Sequence, residues 1–336
     1  MDKNLHFELS QNTVFLKRNG SNCLSGTLVL CLGKPTRIRR AEVNLKGVFR
    51  RQPREWPVFN TSVSLLQTNI LRPLYLSPGR HEFPFTIPLP LSRHMKETVE
   101  GVDGYAVFYR LKGSVAVSGK EISCSERIRI YHALELQTDD PVGVYNEWPQ
   151  KIRYSIDTPS RYVPFGSTVP LEINLAPLTE GIQLESITVE MLEDQNLADE
   201  YFSNNSAERL VQSRRICERK FNSIKDLDFG NNNYYNNDYD NTDSDNGFCV
   251  SISLPTSLSA YSQDVMVGHL DISHRLIVTL FIRNDNHISS IRAAVPVVIY
   301  MPCANHVKDG IPPRYEDHML DLPVDMSHLD RLPSYK

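Results

Sequence analysis

The fold is indicated most clearly by residues 106–117, which read AVFYRLKGSVAV. Along this stretch Val107, Tyr109 and Leu111 alternate with side chains of other character, so that they share one face. Successive side chains of a β-strand point to opposite faces, and such alternation is typical of a strand that is buried on one side only. We expect this strand to cover a hydrophobic core with one face and to meet water with the other.

The same period of two recurs elsewhere, in residues 167–175, 187–191 and 276–282. Turn signals separate the strand segments, as at residues 33–35 and 77–79. A single sheet could not cover so many one-sided strands, so the sequence predicts an all-β protein with antiparallel sheets packed face to face in sandwiches. The best helix candidates are residues 91–100 and 206–218.

The length of the chain suits two domains. Its 336 residues exceed the size of one typical domain, and the alternation breaks near an acidic, proline-containing segment. We predict a first sandwich over 1–137, a linker over 138–147, a second sandwich over 148–304 and a flexible tail over 305–336. Within the second sandwich, residues 226–247 are rich in Asn and Asp and predict a disordered loop.

The aspartates of this loop raise the question of a calcium site. An EF-hand loop needs glycine at its sixth position and glutamate at its twelfth. Counted from Asp243, Gly247 stands at the fifth position and no glutamate follows in register. The sequence therefore favours no metal, and it contains no motif that predicts a cofactor.

Catalytic motifs of the common enzyme families are missing from the sequence. It has no G-x-S-x-G, Walker loop, H-E-x-x-H or dinucleotide fingerprint. His269 and His274 are five residues apart, which places them on opposite faces of a strand, and we interpret both as ordinary strand residues. The mild net charge of −4 gives no general attraction to nucleic acid. We predict a protein that is not an enzyme, with a carbohydrate-active β-sandwich as the alternative.

Cysteine usage and hydropathy bear on the compartment. The six cysteines are scattered without a C-x-x-C pair, which is typical of a reduced intracellular protein. No stretch of about 20 apolar residues is present, and residues 1–8 lack the apolar core of a signal peptide. We expect a cytoplasmic protein.

A basic segment lies between residues 34 and 54, with eight Lys or Arg against Glu42 and the adjoining Glu55. Arg40, Lys46 and Arg50 share the parity opposite to the apolar Val43, and should therefore face water. One interpretation is a solvated sheet face. The other is a contact for acidic or phosphorylated peptide cargo, or for inositol phosphates in a peripheral membrane contact.

Two proline-led motifs stand near the end of the sequence, P-P-x-Y at residues 312–315 and L-P-x-Y at residues 332–335. With 21 prolines and 15 tyrosines in 336 residues, chance gives about 0.06 P-P-x-Y matches, so the first motif carries information. Proline fixes φ near the polyproline II value, and WW domains bind such segments in an aromatic groove. The alternative is that the prolines only end the last domain. The predicted WW-binding residues are Pro312, Pro313, Tyr315, Leu332, Pro333 and Tyr335.

The order of these segments resembles the alpha-arrestin family of arrestin-related trafficking adaptors, in its fungal form. Residues 76–90, LSPGRHEFPFTIPLP, are similar to the family signature L-x-x-G-x-H-x-F-P-F…L-P, and residues 104–111 match the strand that follows. Residues 148–154, WPQKIRY, resemble the start of the C-terminal arrestin domain, and residues 291–299 resemble its closing strand.

This resemblance implies two immunoglobulin-like arrestin sandwiches in tandem and a non-catalytic adaptor. The adaptor would bind plasma-membrane transporters or receptors as cargo, and its tail would recruit a HECT-type ubiquitin ligase through WW domains. Cargo would then be ubiquitylated and endocytosed, with the adaptor recruited from the cytoplasm to the plasma membrane and endosomes. Two alternatives keep the fold: a scaffold for ambient-pH signalling, and a retromer-like coat subunit, which would have no use for the tail motifs.

Overall fold

A computed structural model describes most of the chain outside the two termini and several internal segments. The described part contains twenty β-strands and no α-helix. It divides into two compact units, Met1–Ala133 and Leu134–Lys336. The described residues are 4–51, 53–68, 74–91, 94–102, 104–117, 119–134, 140–198, 209–222, 246–267, 270–284 and 287–303.

The first unit holds ten strands in two sheets. A three-stranded sheet has the order β1-β3-β7, and a second sheet has the order β2-β10-β9-β4-β5, with β6 paired to β4 and β8 to β9. Pairing is antiparallel except between β2 and β10. The strands are β1 Asn4–Leu9, β2 Thr13–Leu16, β3 Asn22–Leu32, β4 Thr36–Arg51, β5 Arg54–Gln67, β6 Leu74–Leu76, β7 Gly79–Leu89, β8 Val99–Val102, β9 Tyr105–Val117 and β10 Lys120–His132.

The second unit repeats this plan with ten more strands. Its sheets have the orders β11-β12-β14-β17 and β13-β20-β19-β15-β16, and β18 pairs with β19. Pairing is antiparallel except between β13 and β20. The strands are β11 Val142–Trp148, β12 Ile152–Thr158, β13 Tyr162–Pro164, β14 Thr168–Pro177, β15 Ile182–Ala198, β16 Arg209–Phe221, β17 Asn246–Ser253, β18 Val265–Val267, β19 Leu270–Asn284 and β20 His287–Tyr300.

The core of the first unit lies between its two sheets. Val107, Tyr109 and Leu111 of β9 are fully buried, which confirms the prediction from their alternation. At Gly113 the sheets approach so closely that a Cβ atom would lie 2.5 Å from Cδ1 of Leu28 on β3. Glycine fits here because it is the residue without a Cβ. The all-β sandwich architecture predicted from the sequence is confirmed.

Three finer predictions differ from the structure. Residues 206–218 were expected to form a helix, but from Arg209 onward they belong to β16, which pairs along its length with β15. Residues 91–100 end in β8 instead of a helix. The predicted linker 138–147 contains most of β11, because this edge strand alternates weakly and is ordered by its pairing with β12.

Other predictions fall wholly or largely outside the described residues. Of the predicted loop 226–247, only Asn246 and Gly247 are described, and they begin β17. The predicted tail 305–336 lies outside the described residues. Within the described residues no helix has the length and apolar character to cross a membrane. The same residues contain no group of three or more His, Cys, Asp or Glu that could hold a metal ion.

Candidate functional site

The basic residues predicted to face water lie on one face of β4. Arg40 and Lys46 are exposed and Arg50 is half-buried, whereas Val43 and Leu45, of the opposite parity, are fully buried. This face is the outer surface of the larger sheet of the first unit, because its inner surface supplies the buried residues of β4 and β9.

Carboxylates already neutralise two of the three predicted cations. Nε of Arg50 lies 2.7 Å from Oε1 of Glu55 on β5, and its guanidinium stacks 4.7 Å from the ring centroid of Phe108. Nε of Arg40 lies 3.6 Å from Oε2 of Glu42, and its Nη2 lies 3.9 Å from Oε2 of Glu121. These partly exposed ion pairs contribute little to stability, but they reduce the positive potential that Arg40 and Arg50 offer to a ligand.

Lys46 has a different environment. It stands directly opposite Arg110 of β9, and Arg110 stands directly opposite Arg127 of β10. Residues directly opposite in an antiparallel ladder share a face, so these three side chains form a line across three strands, which we call the cation row. Among the described residues, no carboxylate lies within 4 Å of Lys46 or Arg110, while Arg127 pairs with Glu100 at 3.1 Å.

The electrostatics of the cation row favour an anionic ligand. Like charges placed directly opposite on a sheet destabilise it, so this arrangement has a cost in the absence of a counter-charge. Lys112 extends the basic surface one row further along β9, with Glu121 at 4.0 Å. A phosphate or a carboxylate placed over Lys46 and Arg110 would relieve their repulsion and gain charge-assisted hydrogen bonds.

Comparison with known proteins gives a family match to the second half of the chain. Residues 148–303 match the family model described as "Arrestin (or S-antigen), C-terminal domain". The matched range runs from the last residue of β11 to the residues just after β20, and so takes in most of the second sandwich.

Curated fungal proteins are similar along most of the chain. A Neosartorya fischeri protein, "Probable HECT-type ubiquitin ligase-interacting protein creD", is 27% identical over 338 residues, with 89% of this chain and 55% of the relative covered. The protein of the same name from Aspergillus terreus is 29% identical over 297 residues, with 83% and 50% covered. The "HECT-type ubiquitin ligase-interacting protein creD" of Emericella nidulans is 27% identical over 299 residues, with 83% and 48% covered.

These similarities support the resemblance of the chain to the alpha-arrestin family. The chain spans about half the length of the curated relatives it matches. The resemblance drawn from its sequence motifs is thereby confirmed.

The residues predicted to bind WW domains lie outside the described part of the chain. They are Pro312, Pro313, Tyr315, Leu332, Pro333 and Tyr335. Their assignment stays a prediction that depends on the motifs themselves.

Sequence reasoning missed two members of the cation row, Arg110 and Arg127. The alternation of residues 106–117 already placed Arg110 on the exposed face of its strand. Nothing local showed that β9 lies between β4 and β10, or that the register sets Arg110 opposite Lys46. That information is contained in pairing between residues far apart in the chain.

Proposed function

We propose that this chain is an alpha-arrestin, and that it is a non-catalytic adaptor that brings a WW-domain HECT-type ubiquitin ligase to plasma-membrane transporters or receptors. Ubiquitylation and endocytosis of the cargo would follow. The observation that carries the proposal is the pair of motifs at 312–315 and 332–335, in a chain whose relatives are named for interaction with a HECT-type ubiquitin ligase.

The tail motifs have the chemistry that a WW domain recognises. Pro312 and Pro313 restrict the backbone to the extended form, which reduces the entropy lost on binding, and Tyr315 supplies a ring for the adjoining pocket. The sixteen residues between Tyr315 and Leu332 can span at most about 55 Å. That reach suits a ligase with several WW domains, where simultaneous engagement raises avidity without new contacts.

The cation row is the surface we assign to cargo. Its central residues, Lys46 and Arg110, lack a carboxylate within 4 Å among the described residues, and an acidic or phosphorylated cargo segment would supply one. Arg40 and Arg50, which carboxylates already pair, would add little to this attraction, because charges at physiological salt are screened beyond about 8 Å. The adaptor would thus bind cargo through the first sandwich and ligase through the tail.

The test is cargo turnover in cells with three variants of the chain. In Tyr315→Ala/Tyr335→Ala we expect cargo to co-purify with the adaptor but to remain at the membrane without ubiquitin. In Lys46→Glu/Arg110→Glu we expect the ligase to co-purify and the cargo to be lost. Lys120→Glu, a reversal at an exposed residue at the start of β10, is the matched control and should behave like the parent.

The two halves of the proposal, ligase recruitment and cargo binding, can be refuted separately. Cargo ubiquitylated at the parental rate by the double tyrosine variant would refute ligase recruitment through the tail. Parental cargo capture by the Lys46/Arg110 variant would remove the cation row from the account and leave ligase recruitment standing.

A further inference from the structure

A buried cluster of charged side chains lies inside the second unit. Glu193 of β15 stands opposite His274 of β19 on one side and opposite Arg214 of β16 on the other. The side chains of Glu193 and His274 are fully buried. Asp264, just before β18, completes the cluster. Charged groups are rarely buried unless they are paired, so the charges of this cluster must balance one another.

The geometry favours the doubly protonated form of His274. Nδ1 lies 2.6 Å from Oδ1 of Asp264, and Nε2 lies 3.5 Å from Oε2 of Glu193. A neutral imidazole has one N–H, so it would turn a lone pair toward one of the two carboxylates. The imidazolium turns an N–H toward both. Together with Arg214, whose Nε donates to Oε1 of Glu193 at 2.7 Å, it balances the two negative charges.

The cluster also anchors, by hydrogen bonds, the chain segment that connects the two sheets. Residues 254–264, which we call the crossover segment, run from β17 in one sheet to β18 in the other. The backbone N–H of Ser262 donates to Oε2 of Glu193 at 3.0 Å. Asp264 donates its backbone N–H to the carbonyl of Ile299 on β20 and accepts the N–H of Ile299 on Oδ1.

Tyr261 ties the crossover segment to a second turn. It is fully buried, meets the ring of His274 edge-on at 6.0 Å, and stacks on Phe165 at 4.2 Å. Its hydroxyl accepts the backbone N–H of Gly166 at 2.9 Å. His274 therefore contacts the part of the crossover segment that joins the two sheets.

The surrounding groups set the direction of the His274 pKa. Burial alone would lower it, but the contacts with Asp264 and Glu193 outweigh burial and raise the pKa above its ordinary value. For Glu193, burial raises the pKa, yet the contact with His274 and the hydrogen bonds from Arg214, the Ser262 backbone and Gln195 outweigh it and lower the pKa to about 2.

The other described neighbours of His274 carry no charge near neutral pH. Tyr261, from the crossover segment, has a pKa that burial raises, and so does Cys217 of β16 near Tyr261. Val297 of β20, directly opposite His274, is apolar. Among the described residues, the charged groups facing the imidazole are therefore Glu193 and Asp264, with Arg214 behind Glu193.

We propose that His274 is a proton-dependent clasp: its charged form holds the crossover segment against the six-stranded sheet, and loss of the proton as pH rises releases that segment. Because the folded pKa lies above the unfolded value, the stabilisation is complete below the unfolded value, near 6.5, and is lost as pH rises through the folded pKa. Deprotonation leaves the buried carboxylate of Glu193 and the partly buried carboxylate of Asp264 facing one cation, which favours opening to water. The second sandwich would then sense a rise in pH, not a fall.

Hydrogen exchange of the full chain tests the clasp. Protection factors for residues 254–264, corrected for intrinsic exchange, are measured from pH 6.5 to 9.5 and compared with those of β14 in the same unit. We expect a fall of at least about tenfold in the crossover segment alone. His274→Gln should show low protection at every pH, and His287→Gln, at an exposed residue of β20, should follow the parent.

A second measurement keeps the test decisive if His274→Gln does not fold. The side-chain NMR resonances of His274 in the parent chain report its protonation directly, and the clasp predicts a midpoint above 6.5. A midpoint at or below 6.5 would overturn the proposal. So would crossover protection that stays constant with pH in the parent chain.

Discussion

Replacing Glu193 by glutamine removes one charge from the buried cluster and changes its shape little. The two cations Arg214 and His274 are then left with one carboxylate, Asp264. The amide can still accept a hydrogen bond from the Ser262 backbone, so the loss is chiefly one of charge balance. Removing one partner of a buried ion pair costs about 3–5 kcal/mol, because it leaves an uncompensated charge in the interior.

The pKa of Glu193 gives an independent magnitude for this loss. A fall from the ordinary 4.5 to about 2 corresponds to about 3 kcal/mol of stabilisation of the charged form, at about 1.4 kcal/mol for each pKa unit. We therefore expect Glu193→Gln to lower the free energy of unfolding of the second unit by about 3 kcal/mol at pH 7.

Urea unfolding followed by tryptophan fluorescence measures this loss within one unit. The chain has two tryptophans, Trp56 on β5 and Trp148 on β11, so a Trp56→Phe background leaves Trp148 as the reporter of the second unit. The matched control is Glu185→Gln, which removes the exposed ion pair with Arg283 at 2.6 Å between β15 and β19.

The control should lose less than about 1 kcal/mol, because exposed ion pairs contribute little. The reasoning is refuted if Glu193→Gln stays within about 1 kcal/mol of the parent with an unchanged denaturant slope. It is equally refuted if the exposed control loses as much as the buried variant.

Three further predictions concern stability. Between pH 7 and pH 3 the second unit of the parent should lose about 2 kcal/mol that Glu193→Gln does not lose, because the stabilisation from the lowered Glu193 pKa is lost as pH falls from 4.5 through about 2 and is only partly lost at pH 3; urea midpoints at the two pH values measure this. Gly113→Ala should cost the first unit about 1–3 kcal/mol, because its Cβ would lie 2.5 Å from Leu28; a urea midpoint equal to the parent's would contradict the close approach of the sheets. Arg110→Gln should stabilise the first unit by about 0.5 kcal/mol by relieving repulsion with Lys46, and a clear destabilisation in urea would count against the cation row.

The fold could be predicted where the sequence pattern is local. Residues 106–117 carry a period of two that needs no knowledge of their neighbours, and β9 has the expected buried face. Residues 206–218 carry a charge pattern that suits an exposed helix as well as a strand. There the ladder with β15 decides the structure, and pairing at that distance is not visible in a local pattern.

The candidate site was predictable to a similar depth. Parity alone placed Lys46 on the exposed face of its strand. Predicting its neighbours Arg110 and Arg127 requires the strand order. The same is true of the partners of His274. Parity correctly treated His274 as a strand residue, but only the register of β15 and β19 and the path of the crossover segment bring Glu193 and Asp264 to its ring.

The central claim, that the tail captures a ubiquitin ligase, is tested most directly by the affinity of the full chain for a purified WW-domain tandem from a HECT-type ligase. Lost pocket filling in Tyr315→Ala should cost about 1–3 kcal/mol, which is a five- to 150-fold weakening, roughly. Adding Tyr335→Ala should nearly abolish binding in isothermal titration. Parental affinity in the double variant would contradict the account.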